Sequence, residues 1–434
     1  MRSKETVNHH QADLEITMSR GTHGMRSRRC RFCGSGLHVT FVDLGVSPLA
    51  NSFLRADELG RMEAFYPLHT YVCEHCFLVQ LEAFQTPEHM FGDYVYFSSY
   101  SDTWLRHAEE FTNEIMARYA LTGSSQVIEI ASNDGYLLQY FQQRGVSVLG
   151  IEPAANVAEA AIGKGIPTLV EFFGAKTAEK LSSQGIKADV LIGNNVLAHV
   201  PDLKDFVLGM KVLLKGNGVI TIEFPHLMRL IEDSQFDTIY HEHFSYFSFG
   251  TVLRIFSDQG LTVFDVEELK THGGSLRVYA RHTEDKTKPV TGEVKALEAR
   301  EDKAGLTNLE YYRSFGEKVK EAKRAILDVM IKIKRAGKTI VGYGAAAKGN
   351  TLLNYCGIRS DFLDYVVDRN PHKQGKYLPG TRVPIHHPDK IRETKPDILL
   401  IIPWNLRDEI TEQMSHLRSW GGRFLVLIPE IRVF

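Results

Sequence analysis

Twice in this chain a run of aliphatic residues breaks into a tight turn, restarts as an amphipathic stretch, and leads to a second aliphatic run closed by an acid. The first copy begins Val127-Ile-Glu129-Ile-Ala131-Ser-Asn133-Asp134-Gly135 and continues to Val146-Ser-Val-Leu-Gly150-Ile-Glu152. The second begins Lys338-Thr-Ile-Val-Gly342-Tyr-Gly344-Ala-Ala-Ala-Lys348-Gly349-Asn350 and continues to Tyr365-Val-Val-Asp368. Short aliphatic runs separated by helical patterns specify parallel strands joined by crossover helices. Runs at Ala188–Val200 and Gly218–Pro225 extend the first unit, and runs at Ile398–Asn405 and Phe424–Pro429 extend the second. Ligands on such sheets gather beyond the carboxyl ends of the strands. Glu129–Gly135, Glu152, Asn194–His199 and Glu223–His226 are therefore expected on one rim.

The first turn suits a nucleoside cofactor. It lets a ligand approach the backbone, and Glu152, 17 residues after Gly135, is placed to hold a ribose diol. Its spacing is that of acid-x-Gly-x-Gly-x-Gly, but Ala131 and Asn133 replace two glycines. By itself the turn leaves a dehydrogenase, or a turn with only a structural role, open. In the second unit Gly344 lets a phosphate approach helix N-terminal amides and Lys348 adds a point charge, so Gly344–Asn350 reads as a diphosphate anchor. A structural turn left by duplication of the fold is the alternative. A dinucleotide site is disfavoured, because G-Y-G-A-A-A has only part of the G-x-G-x-x-G spacing.

Ahead of these units stand Cys30-Arg-Phe-Cys33 and Cys73-Glu-His-Cys76, two C-x2-C knuckles separated by 39 residues. A two-residue spacer lets both thiolates of a turn face one cation, and four thiolates complete a tetrahedral Zn2+ shell. The separation exceeds that of compact zinc ribbons, so a small β-rich insertion is expected between the knuckles. A redox role is disfavoured because neither pair opens a helix in a βαβ unit. Four thiolates leave no open position, so the zinc reads as structural.

Between the two α/β units lies Phe236-Asp-Thr-Ile-Tyr240-His241-Glu242-His243-Phe-Ser-Tyr246. Two imidazoles, a carboxylate and a phenol within four residues are suited to moving a proton. A metal site lacks support, since H-E-H does not have the i, i+4 spacing of helical zinc motifs. A dense polar surface strand remains the bland alternative.

The chain has 434 residues and a net charge of −2, which implies two or three domains at roughly 100–200 residues each and gives no electrostatic footprint for nucleic acid. No apolar run is long enough to span a membrane. The polar N-terminal segment has no apolar signal region and reads as a disordered extension. Disulfides are not expected, and the cytoplasm is the simplest compartment.

The order of zinc knuckles, SNDG turn, GIEP, NNVLAHVPDL, EFPHL, QFDTIYHEHFSYFS and THGGSLRV resembles the S-adenosylmethionine-dependent sugar C-methyltransferases, over about residues 29 to 434. That resemblance implies methylation of carbon, by analogy C-3, in a nucleotide-linked 4-keto-6-deoxyhexose, with thymidine diphosphate as the favoured carrier. It implies Tyr94, His199, Tyr240, Glu242 and His243 as active-site residues. His243 is the expected base, Glu242 the group orienting or hydrogen-bonding sugar and imidazole, and Tyr240 and Tyr94 donors to the oxyanion or groups positioning the ring. His199 is a second acid or base, and His272 a substrate contact beside Gly273-Gly274. Cofactor contacts are expected from Glu129, Ala131, Asn133, Gly135 and Glu152, with Phe173 or Asn195 beside the adenine and sulfonium. Gly344, Lys348 and Asn350 are expected to hold the nucleotide-sugar.

The expected architecture is α/β throughout. Residues 1–28 form the extension, 29–88 a zinc-binding domain, 89–285 a Rossmann-like methyltransferase domain, 286–335 a helical connector, and 336–434 a second Rossmann-like domain. A monomer or weak dimer is expected, with neither nucleic acid nor membrane as partner. Two other functions compete: sugar O-methylation, and nucleic-acid binding by a zinc ribbon on a degenerate enzyme fold.

Overall fold

A computed structural model describes residues 28–92 and 94–434. The expected extension over residues 1–28 falls almost wholly outside the described residues. Arg28, its last member, belongs to the folded part: its carbonyl accepts from Leu37 N at 2.9 Å and its guanidinium pairs with Glu82 at 3.0 Å.

Three sheets organise the chain. The first has four strands, in the order Val39–Ser47, Tyr66–Val72, Val79–Leu81 and Ser245–Tyr246, all antiparallel. The first two fill the interval between the cysteine pairs, which is the expected β-rich insertion. The fourth comes from far along the chain, just after the His-Glu-His run. Ser245 pairs with Gln80 and Tyr246 with Val79, so this sheet grips the centre of the molecule.

The central sheet has seven strands, ordered Leu261–Leu269, Ser275–His282, Leu214–Pro225, Ala188–Asn194, Gln126–Ile130, Ser147–Ile151 and Thr168–Leu169. The last five are mutually parallel, while Ser275–His282 runs antiparallel to both of its neighbours. The parallel strands are buried on both faces, which accounts for their continuous aliphatic runs. Helix Asp102–Arg118 shows how a flanking element is fixed. Ser101 Oγ caps it by accepting from Trp104 N at 3.3 Å, and Ala108, Phe111, Thr112 and Ile115 make its buried stripe.

The third sheet is ordered Ile385–His386, Val366–Val367, Ile340–Tyr343, Ile398–Ile401, Arg423–Val426 and Arg432–Val433. Only the last strand is antiparallel. Helices Gly292–Ala304, Leu309–Arg313 and Phe315–Arg335 lead into it. Phe41 of the first sheet stacks on Phe315 at 4.6 Å. One hydrophobic core thus runs from the first sheet through helix Leu227–Glu232 to the third sheet. A second core joins the cysteine site to one face of the central sheet.

Candidate active site

The four cysteine sulfurs converge, all within 4.8 Å of one another, with Cys30–Cys76 at 3.5 Å and Cys33–Cys73 at 3.4 Å. Zinc bonds of ~2.3 Å in a tetrahedron separate sulfurs by ~3.8 Å, so the set fits a Zn2+ ion. Gly34 (φ +76°) and Phe77 (φ +59°) turn the two knuckles, and Gln80 Nε2 donates to Cys30 Sγ at 3.2 Å. Thr251 Oγ1 donates to the Cys76 carbonyl at 3.2 Å, a tie to the central domain.

The glycine-poor turn has glycine geometry. Ala131 (φ +55°), Asn133 (φ +50°) and Gly135 (φ +75°) are all left-handed. For alanine this conformation costs about 1 kcal/mol, and such strain concentrates at ligand sites. Glu152 holds the turn: its carboxylate accepts from Asn133 N at 2.9 Å and Ala154 N at 2.8 Å. Asn133 Oδ1 in turn accepts from Ser98 N at 2.8 Å, which draws the aromatic Tyr94–Tyr100 stretch over the rim. Beneath the turn Glu129 is fully buried and neither carboxylate oxygen has a partner. Burial pushes its carboxyl well up, and the charges of Glu152, Asp134 and Glu223 add to that. Asp134 Oδ1 and Asn195 Oδ1 are buried and unpartnered as well. An acidic cradle with spare acceptors suits a ligand bearing an ammonium, a sulfonium and ribose hydroxyls, so the residues present fit S-adenosylmethionine.

Asn195 (φ +55°) and His272 (φ +53°) meet across the rim, with Asn195 Nδ2 donating to His272 Nε2 at 3.2 Å. Burial holds the His272 imidazole down at about 4, with the Lys348 charge adding to the shift. Phe173 is turned edge-on to Phe206 at 5.4 Å and packs against the core under the sheet.

The His-Glu-His run lies where the three sheets meet. His243 Nδ1 is 2.9 Å from the Thr238 carbonyl, which can only accept, so the proton is on Nδ1 and the Nε2 lone pair is free. Burial drives its pKa well below the ordinary value, helped by His199, whose ring lies edge-on at 4.8 Å. Tyr240 stacks obliquely on His243 at 4.0 Å. His199 is itself held down to about 4 by burial, and its Nδ1 has no partner. His241 points away, with Nε2 donating to the Pro67 carbonyl at 3.2 Å.

Two expectations are corrected here. Glu242 does not orient the imidazole; the Thr238 carbonyl does. Glu242 Oε1 accepts from Asn51 Nδ2 at 2.7 Å and Oε2 from the Tyr94 hydroxyl at 3.1 Å. The Tyr94 proton is thereby committed to a carboxylate rather than free for an oxyanion, which sets aside one of its two expected roles. Burial lifts Glu242 to about 7 against those two hydrogen bonds and the Lys373 charge. Asn51, from the zinc-bearing unit, escaped sequence reasoning because its partner lies 191 residues away.

Also missed was a buried ion cluster at the rim. Arg277 reaches Glu223 at 2.6 and 2.8 Å, and His107 Nε2 lies 3.0 Å from the same carboxylate. Burial alone would raise Glu223, but the Arg277 charge and the His107 contact bring it below its ordinary value. Trp104 stacks on His107 at 4.9 Å and leans on His272 at 5.1 Å.

The second turn is built differently. Gly344 (φ +95°) donates to the Val367 carbonyl at 2.7 Å, and a Cβ there would lie 2.5 Å from Pro403. The neighbouring Ala345 amide donates to Asp368 Oδ2 at 2.7 Å. Lys373 Nζ bonds the Ala345 carbonyl at 2.9 Å and lies 3.9 Å from Asp368. Asn350 is buried in its helix, with Oδ1 accepting from Asn354 at 3.0 Å and Nδ2 unpartnered. Lys348 faces the cleft and donates to Asn405 Oδ1 at 2.8 Å.

A five-strand parallel sheet with an antiparallel hairpin at one edge, an acid-held cofactor turn and a buried cluster of imidazoles and phenols define a methyl-transferring enzyme. Residues 30–91 match the model of a zinc binding domain, 104–266 that of a methyltransferase domain, and 270–429 that of the C-methyltransferase C-terminal domain. C-methyltransferase NovU of Streptomyces niveus is 34% identical over 406 residues, covering 93% of this chain and 96% of that protein. The chain belongs to the C-methyltransferase family. A ubiquinone biosynthesis O-methyltransferase of Chelativorans sp. is 29% identical over 98 residues, covering 22% of this chain and 39% of the other. Among solved structures, magnesium protoporphyrin IX methyltransferase of Synechocystis PCC 6803 with bound SAH is 15% identical, with a TM-score of 0.33 over 42% of this chain and 87% of the other. Among the described residues, no helix is long and apolar enough to cross a membrane.

Proposed function

We propose that the enzyme C-methylates a nucleotide-linked 4-keto-6-deoxyhexose, at C-3, through an enolate formed by His243. The observation that carries this reading is the His243 tautomer. With Nδ1–H held by Thr238 O, Nε2 is a neutral, desolvated base in the cleft it shares with His199 and Tyr240. Removal of a proton from carbon is a step that C-methylation needs and O-methylation does not. When bound, S-adenosylmethionine supplies an electrophilic methyl group. Glu152 would hold its ribose hydroxyls, and the Glu129–Gly135 turn with Asn195 would hold its methionine and sulfonium portion.

Tyr240 has no hydrogen-bond partner for its hydroxyl among the described residues and donates to the developing oxyanion. Glu242, braced by Asn51 and Tyr94, contacts the sugar ring, and His199 serves as the second acid or base. The second Rossmann-like unit, residues 336–434, presents a thymidine diphosphate sugar to this cleft, with His272 as a contact. Reduced cysteines, four of them gathered as a zinc-ligand set, accord with a cytoplasmic enzyme.

The test is to supply methyl-13C donor with a panel of dTDP-linked 4-ketosugars and locate the label by NMR. A carbon-bound methyl next to the ketone is expected. An oxygen-bound methyl would overturn the reading.

A further inference from the structure

Lys348 is partly buried and forms no ion pair within 4.0 Å among the described residues; burial lowers its pKa, opposed by the charge of Asp237. Its ammonium has one hydrogen bond, to Asn405 Oδ1, and lies 4.7 Å over the Trp404 ring. The other N–H directions have no partner among the described residues. The helix that carries it, Ala347–Cys356, is docked by Thr351 Oγ1 donating to the Ile239 carbonyl at 2.8 Å. Lys348 is three residues earlier, on the same helix face, and so is directed at the Asp237–His243 segment. Trp404 fixes that placement. Its indole N–H donates to Asp237 Oδ2 at 2.7 Å, and its ring edge lies where a Cβ on Gly273 would be, 2.2 Å away, beside His272.

The phosphate-anchor expectation fits this lysine poorly. At the Gly344 turn the Ala345 amide already serves the Asp368 carboxylate, and Lys373 lies beside that acid. A phosphate brought to the turn would meet a negative charge. Lys348 is turned instead toward the His-Glu-His run, and its charge is felt at His243 and His272.

We propose that Lys348 is the electrophile of the reaction, its ammonium hydrogen-bonding the acceptor's carbonyl oxygen while His243 removes the neighbouring proton. This rests on the ketosugar substrate proposed above. In the step, the α C–H bond breaks and its proton goes to His243 Nε2. The C–H electron pair becomes the new carbon–carbon π bond, and the carbonyl π pair moves onto oxygen. Lys348 keeps its proton and stabilises the oxyanion together with Tyr240. Tyr94 is not available for this, its proton being spent on Glu242.

The experiment compares wild type, Lys348→Met, Lys348→Gln and Lys348→Arg. It reads solvent deuterium entry at the α-carbon of a dTDP-4-ketosugar without methyl donor, and the affinity for dTDP alone. Lys348→Met is expected to slow exchange about 10²–10³-fold, the usual cost of one oxyanion donor, with dTDP affinity held within about twofold and partial recovery in Lys348→Arg. Lys348→Gln keeps a hydrogen bond to Asn405 without the charge, and covers the case in which the methionine variant does not fold. Unchanged exchange in either neutral variant, or dTDP affinity weakened more than about tenfold with exchange of the bound sugar intact, overturns the proposal in favour of a phosphate anchor. No exchange in the wild type, on any ketosugar, overturns the substrate reading itself.

Discussion

The two turns have the same plan and different surroundings. In each, a left-handed residue donates its amide to the carbonyl just before an acid: Ala131 to Ile151 at 2.8 Å, and Gly344 to Val367 at 2.7 Å. In each, the acid accepts from a turn amide and from the amide two residues beyond itself. Glu152 takes Asn133 and Ala154, and Asp368 takes Ala345 and Asn370. The first turn is surrounded by Glu129, Asp134 and Glu152, with acceptors to spare. At the second, Asp368 has Lys373 3.9 Å away, and Lys348 is turned toward the His-Glu-His run. Backbone geometry places a ligand beyond the strand ends, and the spare acceptors of the first turn suit it to the cationic methyl donor.

The strongest way to break this parallel is through the left-handed residues. Gly344→Ala introduces a Cβ into Pro403 at φ +95°, and a loss of about 2–4 kcal/mol is expected in urea unfolding. Next, Glu152→Gln removes a charged acceptor from the first turn alone. Affinity for S-adenosylmethionine should fall about 10–100-fold by calorimetry while dTDP affinity is unchanged, and Asp368→Asn should spare the methyl donor. If both affinities fall together in Glu152→Gln, the two turns are not separate sites.

Smaller effects probe the cleft between the turns. His199 and His272 are held at about 4 against an ordinary 6.5, so the unfolded chain binds more protons between those values. Their contribution is present above the ordinary histidine value and is lost as pH falls. Glu242, raised to about 7, has the opposite sign: its protonation on acidification favours the folded state. For these three groups alone the sum is a loss on the order of 1 kcal/mol from about pH 7.5 to about pH 5.5. Melting curves should show Glu242→Gln steepening that loss and His199→Asn with His272→Asn flattening it. The smallest effect is Ala131→Gly. Relief of left-handed strain, offset by glycine's chain entropy, should leave stability within about 1 kcal/mol of wild type, most simply on the stabilising side.

Much of this was legible before the structure. The knuckle spacing, the strand–turn–acid pattern and the Tyr240–His243 run are local signals, and local geometry produces them. The substitutions at Ala131 and Asn133 weakened the turn as a sequence signal, yet the backbone takes the glycine conformation because Glu152 and Ser98 hold Asn133 in place. What stayed hidden was long-range. Asn51 on Glu242, Trp404 on Asp237 and His107 on Glu223 join residues more than a hundred positions apart, so no local periodicity carries them. The pairing of Ser245–Tyr246 with the zinc-bearing sheet is another such contact. The assignment of Glu242 as imidazole partner failed for a related reason. Tyr240–His243 is a tight turn, closed by His243 N donating to the Tyr240 carbonyl at 2.9 Å, and the neighbour in sequence there is not the neighbour in space.

The central claim, that the cleft between the two turns serves to take a proton from carbon, is tested most directly by deuterium exchange. Wild type and His243→Asn are incubated in D2O with a dTDP-4-ketosugar and no methyl donor, and the sugar is followed by NMR. The account predicts exchange at one α-carbon in the wild type, slowed about 10²–10⁴-fold in His243→Asn with methyl-donor affinity intact. Equal exchange in the two proteins, or loss of donor binding in the variant, would contradict it.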